Sequence, residues 1–143
     1  MLTRAQINKA INDKIESAFP AIPIQSSDVQ EGFKRPSFFV SLDTNGTEPN
    51  QFSTLREMTC RILYFPTSRY DYKEEAYDIQ DRLEILFGLN FPVADRTITI
   101  DRANTEIVDK VVHYDFDFSF LDDSTRDEDD GNQALMQELN YNG

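Results

Sequence analysis

The chain has 143 residues, 39% of them hydrophobic and 12% aromatic, with eleven Phe and no Trp, enough apolar matter for one well-filled core at single-domain length. Fourteen Lys and Arg against 26 Asp and Glu give a net charge of −12, which repels nucleic acid and anionic membranes and excludes a sequence-specific DNA binder. Cys60 is the lone cysteine, so one chain holds no disulfide framework, and no apolar run reaches transmembrane length.

The start, Met1-Leu-Thr-Arg, shows no signal-peptide core, so a soluble protein made in the cytosol is expected. Thr3 is a good N-cap, with Gln6 three residues on as its capping-box partner. Ile7, Ala10, Ile11, Ile15, Ala18 and Phe19 then recur at helical spacing until Pro20 stops the helix. Residues 21–25 read as a short edge strand, because the two prolines, Pro20 and Pro23, would leave gaps in a central ladder. Residues 26–36 form a polar connection.

Ser37–Asp43 reads as a strand, followed by a loop over 44–50 with a turn signal at Asn45-Gly46. The next strand, about Ser53–Phe65, alternates Met58, Cys60, Ile62 and Tyr64 with Glu57, Thr59 and Arg61, and Pro66 closes it. Tyr70 to Phe87 reads as a second amphipathic helix with Tyr72, Ala76, Ile79, Leu83 and Leu86 as its stripe, Gly88 just past its end and Pro92 at the exit. Thr97–Arg102 is a further strand. A turn near Ala103–Thr105 then leads into a long strand over 106–121, whose Val108, Val112, Tyr114, Phe116, Phe118 and Phe120 share one face. The expected fold is α+β: a mostly antiparallel sheet with two amphipathic helices packed on one face, forming a single domain over residues 1–121.

Residues 122–143 are different. They carry seven acids against Arg126, a net −6 that is half of the chain's net charge, and are expected to form a flexible acidic tail. Within them Leu135, Met136 and Leu139 make a short apolar cluster, too small for a stable helix alone and suited to docking on a partner.

Chemistry is sparse. Five glycines form no phosphate loop. His113, Asp115 and Asp117 alternate on one strand face but span roughly 13 Å, too extended to converge on a metal. Asp127–Asp130 lacks the spaced ligands and closing Glu of an EF-hand loop. Cys60 falls on an apolar strand face, and Ser26, Ser27 and Ser37 have no base partner in view. Glu74, Glu75, Asp81 and Glu84 read as a solvated helix face screened by Lys73 and Arg82. No enzyme activity, cofactor or metal is expected.

Surface is what remains. Lys34, Arg35, Arg56 and Arg61 are the basic residues near strands in an acidic chain, fit to meet acids of a neighbouring copy. Phe38 and Phe39 are adjacent, so one faces the core and the other the opposite side of the sheet, where it needs a second layer or a partner. Phe33 and Phe39 are thus the candidate anchors of a joint between like subunits.

The decapeptide Glu31-Gly-Phe-Lys-Arg-Pro-Ser-Phe-Phe-Val40 resembles one in the tail terminator proteins of phages and phage-like particles. The N-terminal helix running into Phe19-Pro-Ala-Ile-Pro-Ile24, the strand exit Tyr64-Phe65-Pro66 and the acidic end with Met136-Gln-Glu-Leu139 fit the same family. The resemblance implies a ring of identical subunits, usually six, on the head-proximal end of a finished tail. Such a ring stops growth of the tube, and of the sheath where present, and offers a joining surface to neck or head-completion proteins. It implies no catalytic residues, no membrane, DNA passing through without specific binding, and a place in the virion after assembly in the bacterial cytoplasm. Two other readings stay open from the residues alone: another neck or head–tail connector subunit, and an acidic DNA mimic that inhibits a host protein.

Overall fold

The computed structural model describes residues 2–25, 34–68 and 70–123. Helix α1 (Arg4–Ala18) begins with the expected capping box: the Gln6 N–H donates to Thr3 Oγ1 at 3.1 Å, and Gln6 Oε1 accepts the Thr3 N–H at 2.9 Å. Ile7, Ile11 and Ile15 are its buried face. Its C-terminal end is held by Arg82, whose Nη2 donates to the Ala18 carbonyl at 3.1 Å while the guanidinium lies 4.3 Å from the Phe19 ring centroid.

Strand β1 (Ile24–Gln25) runs parallel to the first residues of β2 (Ser37–Pro49), pairing Ile24 with Phe38 and Gln25 with Phe39 at the edge of the sheet. β2 continues into β3 (Ser53–Phe65) as a long antiparallel hairpin. The turn expected at Asn45-Gly46 is instead a register shift within β2. Asn45 Nδ2 donates to Thr59 Oγ1 across the strands at 2.7 Å, and pairing resumes through Pro49. The chain reverses only at residues 50–52, where the Asn50 N–H donates to the Ser53 carbonyl at 2.7 Å.

Helix α2 (Lys73–Phe87) starts later than its periodicity suggests. Ser68 Oγ accepts the N–H groups of Tyr70 and Asp71, holding them in a turn. Its buried residues are Ala76, Ile79, Leu83 and Phe87; Leu86, expected on the stripe, is only half-buried. Gly88 ends the helix at φ +53°, a conformation in which a side chain is strained.

Strand β4 (Asn90–Val93) was not expected, because Pro92 reads as a breaker. On the outermost strand of the sheet a missing N–H costs no ladder bond. β4 pairs with the start of β5 (Arg96–Val108), and β5 pairs in turn with β6 (Val111–Asp123). The turn expected at Ala103–Thr105 lies at Asp109-Lys110, both at positive φ (52° and 67°), the twist a two-residue hairpin requires. Ala103, Asn104 and Thr105 are instead ladder partners of Phe116, Asp115 and Tyr114. Val108 therefore stands at the hairpin end and is exposed, not on the buried stripe.

The six strands run β1-β2-β3-β6-β5-β4, antiparallel apart from β1 with β2. Even-numbered residues of β3 and β6 (Met58, Cys60, Ile62 and Tyr64; Val112, Tyr114, Phe116 and Phe118) form one cluster with the buried residues of both helices and with Phe91, Val93 and Ile98. Phe87, Phe91, Phe116 and Phe118 meet ring to ring, with centroids 4.9–5.5 Å apart for Phe87–Phe116, Phe91–Phe116 and Phe91–Phe118. Among the described residues no helix is long and apolar enough to cross a membrane.

Candidate assembly surface

The segment singled out by sequence enters β2 through a cis Arg35–Pro36 bond. Ser37 Oγ donates to the Lys34 carbonyl and accepts from Gln25 Nε2 at 3.2 Å, which ties the segment to β1. Phe38 points into the core, 5.1 Å from Phe19 and 5.0 Å from Tyr64 between ring centroids. Phe39 takes the opposite side, as alternation requires.

There, of the two expected covers, a second layer or a partner, the chain itself supplies a layer. Phe39 is 6% exposed, covered within the chain by Phe65, whose ring meets it edge-on at 5.3 Å. Arg35 closes the stack, with its guanidinium 5.2 Å from the Phe65 centroid and its Nη1 donating to the Pro66 carbonyl at 3.4 Å. Phe65, on the neighbouring strand, thus gives part of the second layer that Phe39 needs, and the Phe65 ring in turn carries a cation. Sequence reading named Phe65 only as a strand exit; two odd-numbered aromatics meeting across a hairpin are visible once the register is known.

Arg56, expected at a contact between copies, is enclosed within the chain. It opposes Phe120 on the helix-facing side of the sheet and is 6% exposed, with its Nε lacking a hydrogen-bond partner. A guanidinium this enclosed is not a free contact for a neighbour. Arg61 is exposed on the other side, between Asp43 at 2.7 Å and Asp115 at 3.4 Å. Burial raises the Asp115 carboxyl above its usual pKa, and Arg61 offsets only part of that rise. Phe33, Leu135, Met136 and Leu139 lie outside the described residues, as does the acidic run beyond Asp123. Asp122, read from sequence as the first tail residue, is buried in β6, where its carboxylate accepts the Leu2 N–H at 3.1 and 3.2 Å and faces Arg96 at 3.6 Å.

Two surfaces result. The first is the odd-numbered face of β3 and β6. His113, Asp115, Asp117 and Ser119 line it beside Glu57 and Thr59, with Thr59 donating to Asp117 at 2.7 Å and Ser119 to Asp101 at 3.1 Å. It is a hydrogen-bonded, mostly acidic sheet face. The second is a concavity of about 500 Å³ lined by Pro20, Ala21, Pro23, Lys34, Arg35 and Pro36. Sequence reading found its cations but not its proline rim.

A family model described as phage tail terminator protein matches residues 6–131. The chain belongs to the phage tail terminator family. Terminators are structural proteins of tail assembly. Cys60 fits that reading: it is buried, and burial pushes its thiol far above the usual range. Among curated proteins no match is found. One solved structure similar to this chain is a chain from "Virion of native gene transfer agent (GTA) particle", at 9% identity and a TM-score of 0.45, with 85% of this chain and 100% of that chain covered.

Proposed function

We propose that this terminator closes into a ring of identical subunits, six in the family's usual form, on the head-proximal end of the tail tube. The ring halts further addition of tube subunits, and of sheath where one exists, and presents its other side to neck or head-completion proteins. The family match over residues 6–131 carries this reading.

The fold supports it in two ways. Among the described residues, β2 pairs with β1 only at Phe38 and Phe39, and β5 pairs with β4 only over Arg96–Thr99. Among the described residues, long stretches of both strands thus have no further strand partner on opposite edges of the sheet, the arrangement that head-to-tail contacts between like subunits use. The acidic face of β3 and β6, in a chain of net charge −12, suits a channel through which DNA slides without being gripped.

Particles made without this chain test the reading. Overlong or headless tails support a terminator. Tails of normal length that fail to join heads would move the chain to a connector role. Recovery of a host DNA-binding enzyme as its stable partner would favour a DNA mimic.

A further inference from the structure

We infer that the basic, proline-rimmed pocket around Lys34 and Arg35 receives the acidic run Asp127–Asp130 of a second copy of this chain; this rests on the ring reading above. Three observations lead there.

The pocket is chemically matched to a short acidic peptide. Pro20, Pro23 and Pro36 give it a stiff rim, Lys34 stands exposed at its edge, and Arg35 is oriented by the Phe65 ring and the Pro66 carbonyl. Cations held in place before binding lose less freedom when a carboxylate arrives. The only run of four consecutive acids in the chain is Asp127-Glu128-Asp129-Asp130.

Chain length then selects the donor. The described chain ends at Asp123, which pairs with Ser53 at the start of β3, whereas the pocket adjoins Phe65 and Pro66 at its end. The twelve steps of β3 between them span about 40 Å at the rise of a strand. Asp130 lies seven residues beyond Asp123, and seven residues fully extended reach at most about 25 Å. A chain therefore cannot fill its own pocket with this run. A neighbour set head to tail, with one subunit's Asp123 end against the next subunit's Pro66 end, can fill it, and the same contact repeated around an axis closes a ring when the rotation allows.

The test uses full-length protein, with assembly followed by light scattering and electron microscopy across concentration. Lys34→Glu, at an exposed position, should leave the melting temperature within a few degrees. It should raise the concentration needed for rings at least tenfold at 100 mM salt. Adding Asp127→Lys and Asp129→Lys to it should restore assembly, because the attraction is re-formed with its signs exchanged. As a readout independent of charge, Lys34→Cys protein mixed with Asp129→Cys protein should give a disulfide-linked pair of different chains, and the doubly substituted chain should give covalent multimers. If Lys34→Glu rings form at wild-type concentration and the mixture gives no heterodimer, this joint is wrong while the ring stands. If the wild-type chain is monomeric at every concentration, the ring itself falls and takes the joint with it.

Discussion

Replacing Phe65 by alanine asks directly whether Phe39 is covered by its own chain. Phe65 is 8% exposed, meets Phe39 edge-on at 5.3 Å and carries the Arg35 guanidinium at 5.2 Å. Truncating a well-buried Phe costs about 3–5 kcal/mol, and this one lies at the margin of the sheet where its surroundings can relax, so the lower end is expected. About 3 kcal/mol corresponds to a fall in melting temperature of about 10 °C for a domain of this size. Phe39→Ala should cost a similar amount, and the double substitution about 1 kcal/mol less than the two singles added, the share belonging to the edge-to-face contact itself. Thermal unfolding followed by circular dichroism at one protein concentration reads all three. Leu121→Ala, 58% exposed, should move stability by less than about 0.5 kcal/mol as a control. If Phe39 were waiting for a partner, removing it would leave the free chain as stable as before or more so. That outcome, or additive single and double variants, would refute the in-chain lid.

Arg56→Met keeps most of the buried stem and removes a guanidinium whose Nε has no partner, so a gain of about 1 kcal/mol is expected in denaturant unfolding; a loss of that size would mean that the charge is satisfied in the folded chain. Cys60, buried with its thiol raised well above the usual range, should resist a thiol reagent at pH 8 until the protein is denatured, and labelling within minutes would contradict its placement. Tyr114 is pushed up to about 12, first by burial. Its contribution to stability is therefore whole below about pH 10, where the unfolded phenol begins to ionise, and is lost as pH rises through about 12. An ultraviolet titration in which every tyrosine of the native chain ionises near pH 10 would refute this. Deleting residues 124–143 should leave the melting temperature within about 3 °C, since Asp122 keeps its bond to Leu2, yet weaken assembly; unimpaired rings from the truncated chain would rule out a role for the tail in joining subunits.

Much of the fold was legible because the signals were local. The capping box at Thr3 and Gln6, the isoleucine stripe of α1 and the alternation from Met58 to Tyr64 each depend on residues a few positions apart. The errors arose where a distant partner decided the outcome. Asn45-Gly46 carries a turn signal, but Thr59 across the ladder captures the Asn45 side chain and the strand continues. Asp109-Lys110 carries no strong turn signal, yet it reverses the chain because Ala103–Thr105 find partners on β6. Arg56 shares the parity of Met58 and Cys60, so alternation had already placed it inward; only its charge argued for the surface. Phe39 faces away from the core as alternation requires, but it meets Phe65, 26 residues away in sequence, and only the hairpin register sets the two rings side by side.

Imaging the purified full-length protein by electron microscopy, alone and with tail tubes, tests the central claim most directly. Closed rings of one size that also sit on tube ends and stop their growth are the expected result. A protein that remains a single copy at every concentration and leaves tubes free to elongate would contradict the account.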